Sequence, residues 1–412
     1  GNRKLTPEAM SLVEEAEGKL RSGERSFGIA KACTKDEVLP VAKGKCRIFY
    51  SSAFTTIYLA RKYYLPVLRV LQLHPDLSEC AVGANCHGPD WESLMDFAHS
   101  KGKDRLIAGD YSKYDQKLPT QLLIAALTIM VDIARSMDYS EEDLKIMENL
   151  IGDLVFPLIN FNGELISLIE GGWISGVPMT VHVNGICGSL LLRIVFFQLY
   201  PDADEFRPCV SLLTYGDDNI GSVAKGYEKF NIKSISESLA PRGMVYTMPD
   251  KESELVEFMR IEEIEFLKRF SVYIPEIKRT VGALCEDSIF KSLHCYVANK
   301  HDDRLPAERC GEVIDGALRE WFFHGRAKFE RRQKEIAAIV DKHGLYHHVT
   351  TLDLSYDDRA SNWLKKYDPR SSTGEKFSSE VTNEPNDIGY IFEPEFDILS
   401  DDCLSLEDDR SD

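Results

Sequence analysis

Tyr215-Gly216-Asp217-Asp218 constrains this chain more than any other stretch, because strand-forming runs close on it from both sides. Val210-Ser211-Leu212-Leu213-Thr214 precedes it and Asn219-Ile220-Gly221-Ser222-Val223 follows. A turn rich in Gly, Asp and Asn between two such runs predicts a β-hairpin. Two adjacent carboxylates then sit at its tip, where exposing charge costs little. A second acidic stretch, Asp110-Tyr111-Ser112-Lys113-Tyr114-Asp115, follows the strand-like Arg105-Leu106-Ile107-Ala108-Gly109. Either cluster alone reads as a solvated turn. Together, two carboxylate clusters at strand ends suit a pair of Mg²⁺ ions arranged for phosphoryl transfer.

The formal net charge of −18 argues at first against a polyanionic partner, but its distribution removes the objection. Residues 371–412 hold 13 acidic and 2 basic side chains, a polar, acidic composition that predicts disorder. The segment 31–69 carries eight basic residues (Lys31, Lys35, Lys43, Lys45, Arg47, Arg61, Lys62, Arg69) against Asp36 and Glu37. Local field steers a polyanion more than total charge does. The ten cysteines are scattered without a Cys-x-x-Cys pair, which fits reduced thiols rather than a zinc site or a disulfide framework. No signal peptide opens the chain, and no apolar run looks long enough to span a bilayer. The longest helix-like stretch, Leu118–Met137, contains Gln121, Asp132 and Arg135.

Along the chain, Thr6-Pro7-Glu8 reads as the cap and first turn of a helix over residues 5–25. Pro40 and Gly44 make the basic segment 31–49 a loop or extended ribbon, and residues 50–73 resume a helical pattern. Asn162-Gly163 between Phe156–Phe161 and Leu165–Ile169 predicts a hairpin. The glycine-rich Gly171-Gly172-Trp173-Ile174-Ser175-Gly176 then enters a helix running from about Pro178 to Tyr200. A helix over Tyr227–Leu239, strands and turns through Val281, and mainly helical sequence over 286–346 complete the reading. Within that last region Arg319–Lys342 is the most periodic part.

An acidic strand end, a Gly/Ser loop opening a helix, and an acidic hairpin follow one another in this order. The chain thereby resembles the RNA-dependent RNA polymerases of positive-strand RNA viruses, in particular the picornavirus-like group. The resemblance covers roughly residues 31–300 as an ordered series of motifs. It implies that Asp110 and Asp217 bind catalytic metals, with Asp218 as companion carboxylate. Asp115 then helps read the ribose 2′-OH, a group that separates RNA from DNA precursors. Ser175, Thr180 and Asn184 keep the family spacing of a Ser followed five and nine residues later by Thr and Asn. Thr180 and Asn184, one helical turn apart, would complete the ribose network, while Ser175 and Gly176 would flex against template and nucleotide. Lys35, Lys45 and Arg47 resemble the motif that covers the incoming triphosphate, although the interval between its halves is a few residues short. Lys251 resembles the general acid for the pyrophosphate leaving group. Phe266-Leu267-Lys268-Arg269 matches the primer-grip turn, with Lys268 and Arg269 on RNA phosphates.

The fold so implied is α+β: a right-hand polymerase with an antiparallel-sheet palm, fingers and a mainly helical thumb. Its expected divisions are fingers at 1–105, palm at 106–285 with an inserted fingers segment around 138–172, thumb at 286–370, and the acidic tail at 371–412. The implied reaction is templated addition of ribonucleoside monophosphates to an RNA 3′-end with release of pyrophosphate, using two Mg²⁺ ions for which Mn²⁺ can substitute. The implied partners are RNA template and primer, NTPs, a protein primer and other viral replication proteins, at membrane-associated sites in the host cytoplasm. Two rivals stand beside this reading. A reverse transcriptase shares the metal chemistry, though Asp115, Asn184 and Gly216 argue against it. An inactive RNA-binding or scaffold fragment is the other, because only about 30 residues precede the basic motif where the family has a long fingers region.

Overall fold

The structure, a computed structural model, describes residues 4–35, 44, 46–295 and 303–367. Lys45 and the acidic stretch 371–412 lie outside them. Helix α1 (Pro7–Ser22) begins where Thr6 accepts a hydrogen bond from the Ala9 amide and ends at Gly23, whose φ is 93°. The basic segment forms the expected ribbon: β1 (Ile29–Thr34) pairs antiparallel with β2 (Ile48–Ser51). Helices α2 (Phe54–Leu73), α3 (Pro75–Ser78) and α4 (Asp90–Ala98) lead to β3 (Leu106–Ser112). After it come α5 (Tyr114–Lys117), α6 (Thr120–Ser136) and α7 (Glu141–Val155), the last capped by the Ser140 side chain on the Asp143 amide.

The Asn162-Gly163 hairpin forms as β4 (Leu158–Phe161) and β5 (Glu164–Ser167), with φ of 54° and 91° at its turn. Helix α8 (Thr180–Leu199) precedes the acidic hairpin, β6 (Val210–Tyr215) and β7 (Asp218–Val223). Helix α9 (Ile232–Leu239) starts five residues later than the expected Tyr227, because Asn231 and Ser234 form a reciprocal capping box that sets its first turn. Strands β8 (Val245–Thr247), β9 (Arg269–Ile274) and β10 (Arg279–Leu284) follow. The chain continues as α10 (Glu286–His294), α11 (Pro306–Phe322), α12 (Arg326–His343) and α13 (Tyr356–Tyr367). The periodic run Arg319–Lys342 is therefore two helices, broken at Gly325, where φ is 86°.

Three sheets form among the described residues. The central one has the order β6-β7-β3-β8, antiparallel throughout. A second, β2-β1-β4-β5, joins the basic ribbon to the Asn162-Gly163 hairpin through a parallel β1–β4 pairing. β9 and β10 form the third. One buried core, with α2, α6, α7 and α8 around the central sheet, extends from Val13 to Phe266. A separate cluster around Trp321, Phe322, Phe329, Tyr356 and Trp363 gathers buried residues from Ile274 onward. Helix α8 is long and apolar enough to cross a membrane by length and composition alone, unlike the sequence expectation. Its buried residues lie in the main core, where it packs on β6 and α6.

Candidate active site

The backbone brings the two acidic motifs to one end of the central sheet. The β3–β7 ladder runs from Leu106↔Ser222 to Gly109↔Asn219 and stops there. From Asp110 onward β3 pairs with β8 instead, as Asp110↔Thr247, Tyr111↔Tyr246 and Ser112↔Val245. The β6–β7 hairpin closes at Tyr215↔Asp218, leaving Gly216 (φ 65°) and Asp217 as its two turn residues. Asp110 thus lies beside the hairpin tip, and 5% of its surface is exposed. Asn219 ties the strands together: its Nδ2 donates to the Gly109 carbonyl (3.1 Å), and its Oδ1 accepts from the Tyr246 hydroxyl (2.8 Å). The hairpin is held from behind by Glu79, whose carbonyl accepts from the Thr214 amide (2.7 Å) and hydroxyl (2.9 Å).

The electrostatics follow from this crowding. Burial raises the Asp217 carboxyl above its ordinary range, and the nearby charges of Asp110 and Asp115 push it the same way. Burial, then Asp217 and Asp110, lift Asp218 to about 6, against the opposing pull of Lys268. The Lys251 ammonium forms an ion pair with Asp110. Such a concentration of carboxylates holds charge that a cation would relieve. Among the described residues, no three His, Cys, Asp or Glu side chains are already gathered as a metal site. The donor set itself, all carboxylate oxygen, fits a hard divalent ion such as Mg²⁺.

Next to these acids, the Asn184 amide donates to Asp115 Oδ1 at 2.6 Å. Burial raises the Asp115 carboxyl, while the Asn184 hydrogen bond and the Arg47 charge act against it. Asn184 Oδ1 is buried with no hydrogen-bond partner, an acceptor left over at this point. Thr180 is engaged elsewhere: its hydroxyl donates to the Val177 carbonyl (2.8 Å) and accepts from the Trp173 indole (2.9 Å), so it fastens the loop to the start of α8. Ser175 is exposed. Gly176 is required for close approach, since a Cβ there would stand 1.7 Å from the Tyr50 carbonyl of β2. Lys35 and Arg47 are exposed on the basic ribbon, joined by a 2.8 Å backbone hydrogen bond from the Lys35 amide.

A recess on the other side joins Gly109, Asp218 and Asn219 to Glu265, Phe266 and Lys268. Lys268 Nζ sits 2.7 Å from Glu265 and 3.2 Å from the Pro249 carbonyl. Arg269 is not brought to this recess. Its guanidinium binds Glu320 (2.9 and 3.2 Å) and the Gly282 carbonyl (2.7 Å). Sequence reasoning missed Asn219, Tyr246, Glu79 and Glu320. Only Asn219 carried a signal, as a polar residue inside an apolar strand next to the acidic pair.

The antiparallel central sheet carries both acidic motifs at one end, within the α+β architecture that the sequence implied. Residues 2–340 match the family of viral RNA-dependent RNA polymerases, and the chain belongs to it. It is 30% identical over 325 residues to the replicase polyprotein of Cricket paralysis virus, an alignment covering 75% of this chain and 18% of the polyprotein. The corresponding match to the Drosophila C virus replicase polyprotein is 28% over 81% of the chain and 19% of the polyprotein. The Cowpea mosaic virus RNA1 polyprotein is 29% identical over 74% of the chain and 17% of the polyprotein. The chain thus spans about a fifth of the length of these relatives. The solved Sicinivirus 3Dpol RNA-dependent RNA polymerase superposes with a TM-score of 0.64 at 16% identity, covering 88% of this chain and 71% of that one. That likeness bears on the α+β fold.

Proposed function

We propose that this chain catalyses RNA-templated addition of ribonucleoside monophosphates to an RNA 3′-end, with release of pyrophosphate, in replication and transcription of a viral genome. The observation that carries the reading is the juxtaposition of crowded Asp110, Asp217 and Asp218 with the hydrogen-bonded pair Asp115–Asn184. Asp110, Asp217 and Asp218 would hold two Mg²⁺ ions, or Mn²⁺ in their place. Bound there, such cations would lower the pKa of the primer 3′-OH and offset charge at the α-phosphate.

The chain's own residues position the reactants. Asp115 and Asn184, the latter with a spare acceptor, read the ribose 2′-OH. Thr180 supports them by fixing the loop, and Ser175 and Gly176 face template and nucleotide. Lys35, Lys45 and Arg47 take the triphosphate. Lys251 carries a proton on Nζ within reach of Asp110 and can deliver it to the departing pyrophosphate. Lys268 contacts primer phosphates, with Arg269 supporting the turn that carries it. Residues 1–105 serve as fingers, 106–285 as palm with a fingers insertion around 138–172, and 286–370 as thumb. The partners are template and primer RNA, NTPs, a protein primer and other replication proteins, on membranes of the host cytoplasm.

Extension of an annealed RNA primer–template with Mg²⁺ tests the reading, comparing rNTPs with dNTPs and the native chain with Asp217→Asn. Template-dependent rNTP addition that disappears in the variant is the expected outcome. Preferential dNTP addition would turn the assignment to a reverse transcriptase, and full activity of the variant would remove Asp217 from the site.

A further inference from the structure

Leu267 and Lys268, at the tip of the turn facing Asp218, have φ of 56° and 59°. Phe266 and Arg269 close this turn with reciprocal backbone hydrogen bonds of 3.0 and 2.9 Å. A two-residue turn with both central residues left-handed is the geometry that prefers Asn-Gly. Leucine is poorly suited to it. Such a conformation persists only where the surroundings impose it.

Both ends of the turn are gripped. Phe266 is 2% exposed, its ring 6.4 Å from that of Trp91. Arg269 is fastened by Glu320 on α11, with both side chains 11% exposed. Glu320 is itself held by His87 Nε2 at 2.7 Å, and the His87 ring stacks on Phe323 with centroids 5.1 Å apart. The His87 carbonyl accepts from the Trp363 indole at 2.6 Å. A carboxylate on α11, a helix of the second core cluster, therefore reaches, through one arginine, the turn whose ammonium stands beside Asp218.

We propose that Glu320 is the positioning residue of this turn: by clamping Arg269 it holds Leu267-Lys268 in the strained conformation that presents the Lys268 ammonium to RNA. The inference rests on the reading of Lys268 as an RNA contact. A merely structural ion pair would affect stability alone, whereas a clamp on a strained turn becomes dispensable once the strain is removed. Leu267→Asn supplies a residue that tolerates the left-handed region.

The test measures equilibrium binding of a fluorescent RNA primer–template and the thermal midpoint, using the full chain. Glu320→Gln is expected to weaken RNA binding about tenfold. Because Leu267 belongs to this turn and packs against the main core, Leu267→Asn sets its own reference, and Glu320→Gln in that background should weaken binding far less than tenfold without restoring the midpoint. If Glu320→Gln does not fold, His87→Phe keeps the stacked ring and removes one hydrogen bond from Glu320, with an expected loss of about twofold. A midpoint change without loss of affinity overturns the clamp, as does an undiminished loss in the Leu267→Asn background. Lys268→Ala separates the two levels. If it leaves affinity unchanged, the RNA reading of Lys268 falls and the proposal with it. If it weakens binding while Glu320→Gln does not, the clamp alone is wrong.

Discussion

Gly109→Ala should disturb β3 from its buried face. A Cβ at residue 109 would stand 2.1 Å from Tyr246 Cζ, 2.4 Å from its hydroxyl and 2.5 Å from Cε1. Tyr246 has no free direction in which to yield. It is 1% exposed, its ring lies 4.9 Å from that of Tyr111, and its hydroxyl donates to Asn219. Overpacking of this kind costs about 1–3 kcal/mol. Displacing the ring also strands the buried Asn219 acceptor, for another ~1–3 kcal/mol. The expected total is roughly 2–6 kcal/mol, read as a lower urea midpoint at unchanged slope. Primer extension should fall as well, because Asp110 is the next residue along β3. Tyr246→Leu removes the obstructing ring atoms, so the double variant should be more stable than the sum of the single losses, by ~1 kcal/mol or more. A Gly109→Ala loss under about 1 kcal/mol, or strict additivity with Tyr246→Leu, would refute the packing argument.

Acid titration probes the Glu320 cluster. Burial works against its ionised form, yet hydrogen bonds from His87 and Arg269 prevail and bring the carboxyl from 4.5 to about 2. A depressed carboxylate stabilises the fold fully above its unfolded value, and that contribution is lost as pH falls from about 4.5 through 2. It amounts to about 3 kcal/mol. Stability of the native chain should drop across that window by about this much more than stability of Glu320→Gln; equal curves would show that the pair contributes nothing. On the proposed reading of Asp115 and Asn184, Asn184→Ala should reduce the preference for rNTP over dNTP in kcat/KM by about tenfold or more, the loss of a buried hydrogen bond to the 2′-OH. Unchanged discrimination would remove Asn184 from ribose recognition.

The elements set by nearby residues were legible from the chain alone. Asn162-Gly163 and Gly216-Asp217 sit in two-residue turns between strands as their composition predicts, and Thr6 caps α1 because its hydroxyl is three residues from a free amide. The helix expected at Leu118–Met137 forms over Thr120–Ser136 for the same reason: an apolar stripe at helical spacing acts locally. Where two local signals compete, as at Tyr227 and Asn231, the stronger cap sets the boundary. The pairing of Asn184 with Asp115 was expected from a family resemblance, not from spacing.

The remaining features depend on which surfaces meet. The transfer of β3 from β7 to β8 at Asp110, the parallel β1–β4 pairing and the contact of Gly109 with Tyr246 all join distant residues through packing. Lys268 and Arg269 make the point most sharply. As neighbours in sequence they look like one basic pair, but Lys268 is a left-handed turn residue (φ 59°) while Arg269 opens β9, so their side chains part. One ammonium thus stands beside Asp218, and the adjoining guanidinium is buried against Glu320. Sequence determines each residue's charge and its local backbone preference. Tertiary structure decides what that charge faces, because a Coulombic or hydrogen-bonding partner is defined by distance in space, and no short-range pattern encodes the distance between residues 269 and 320.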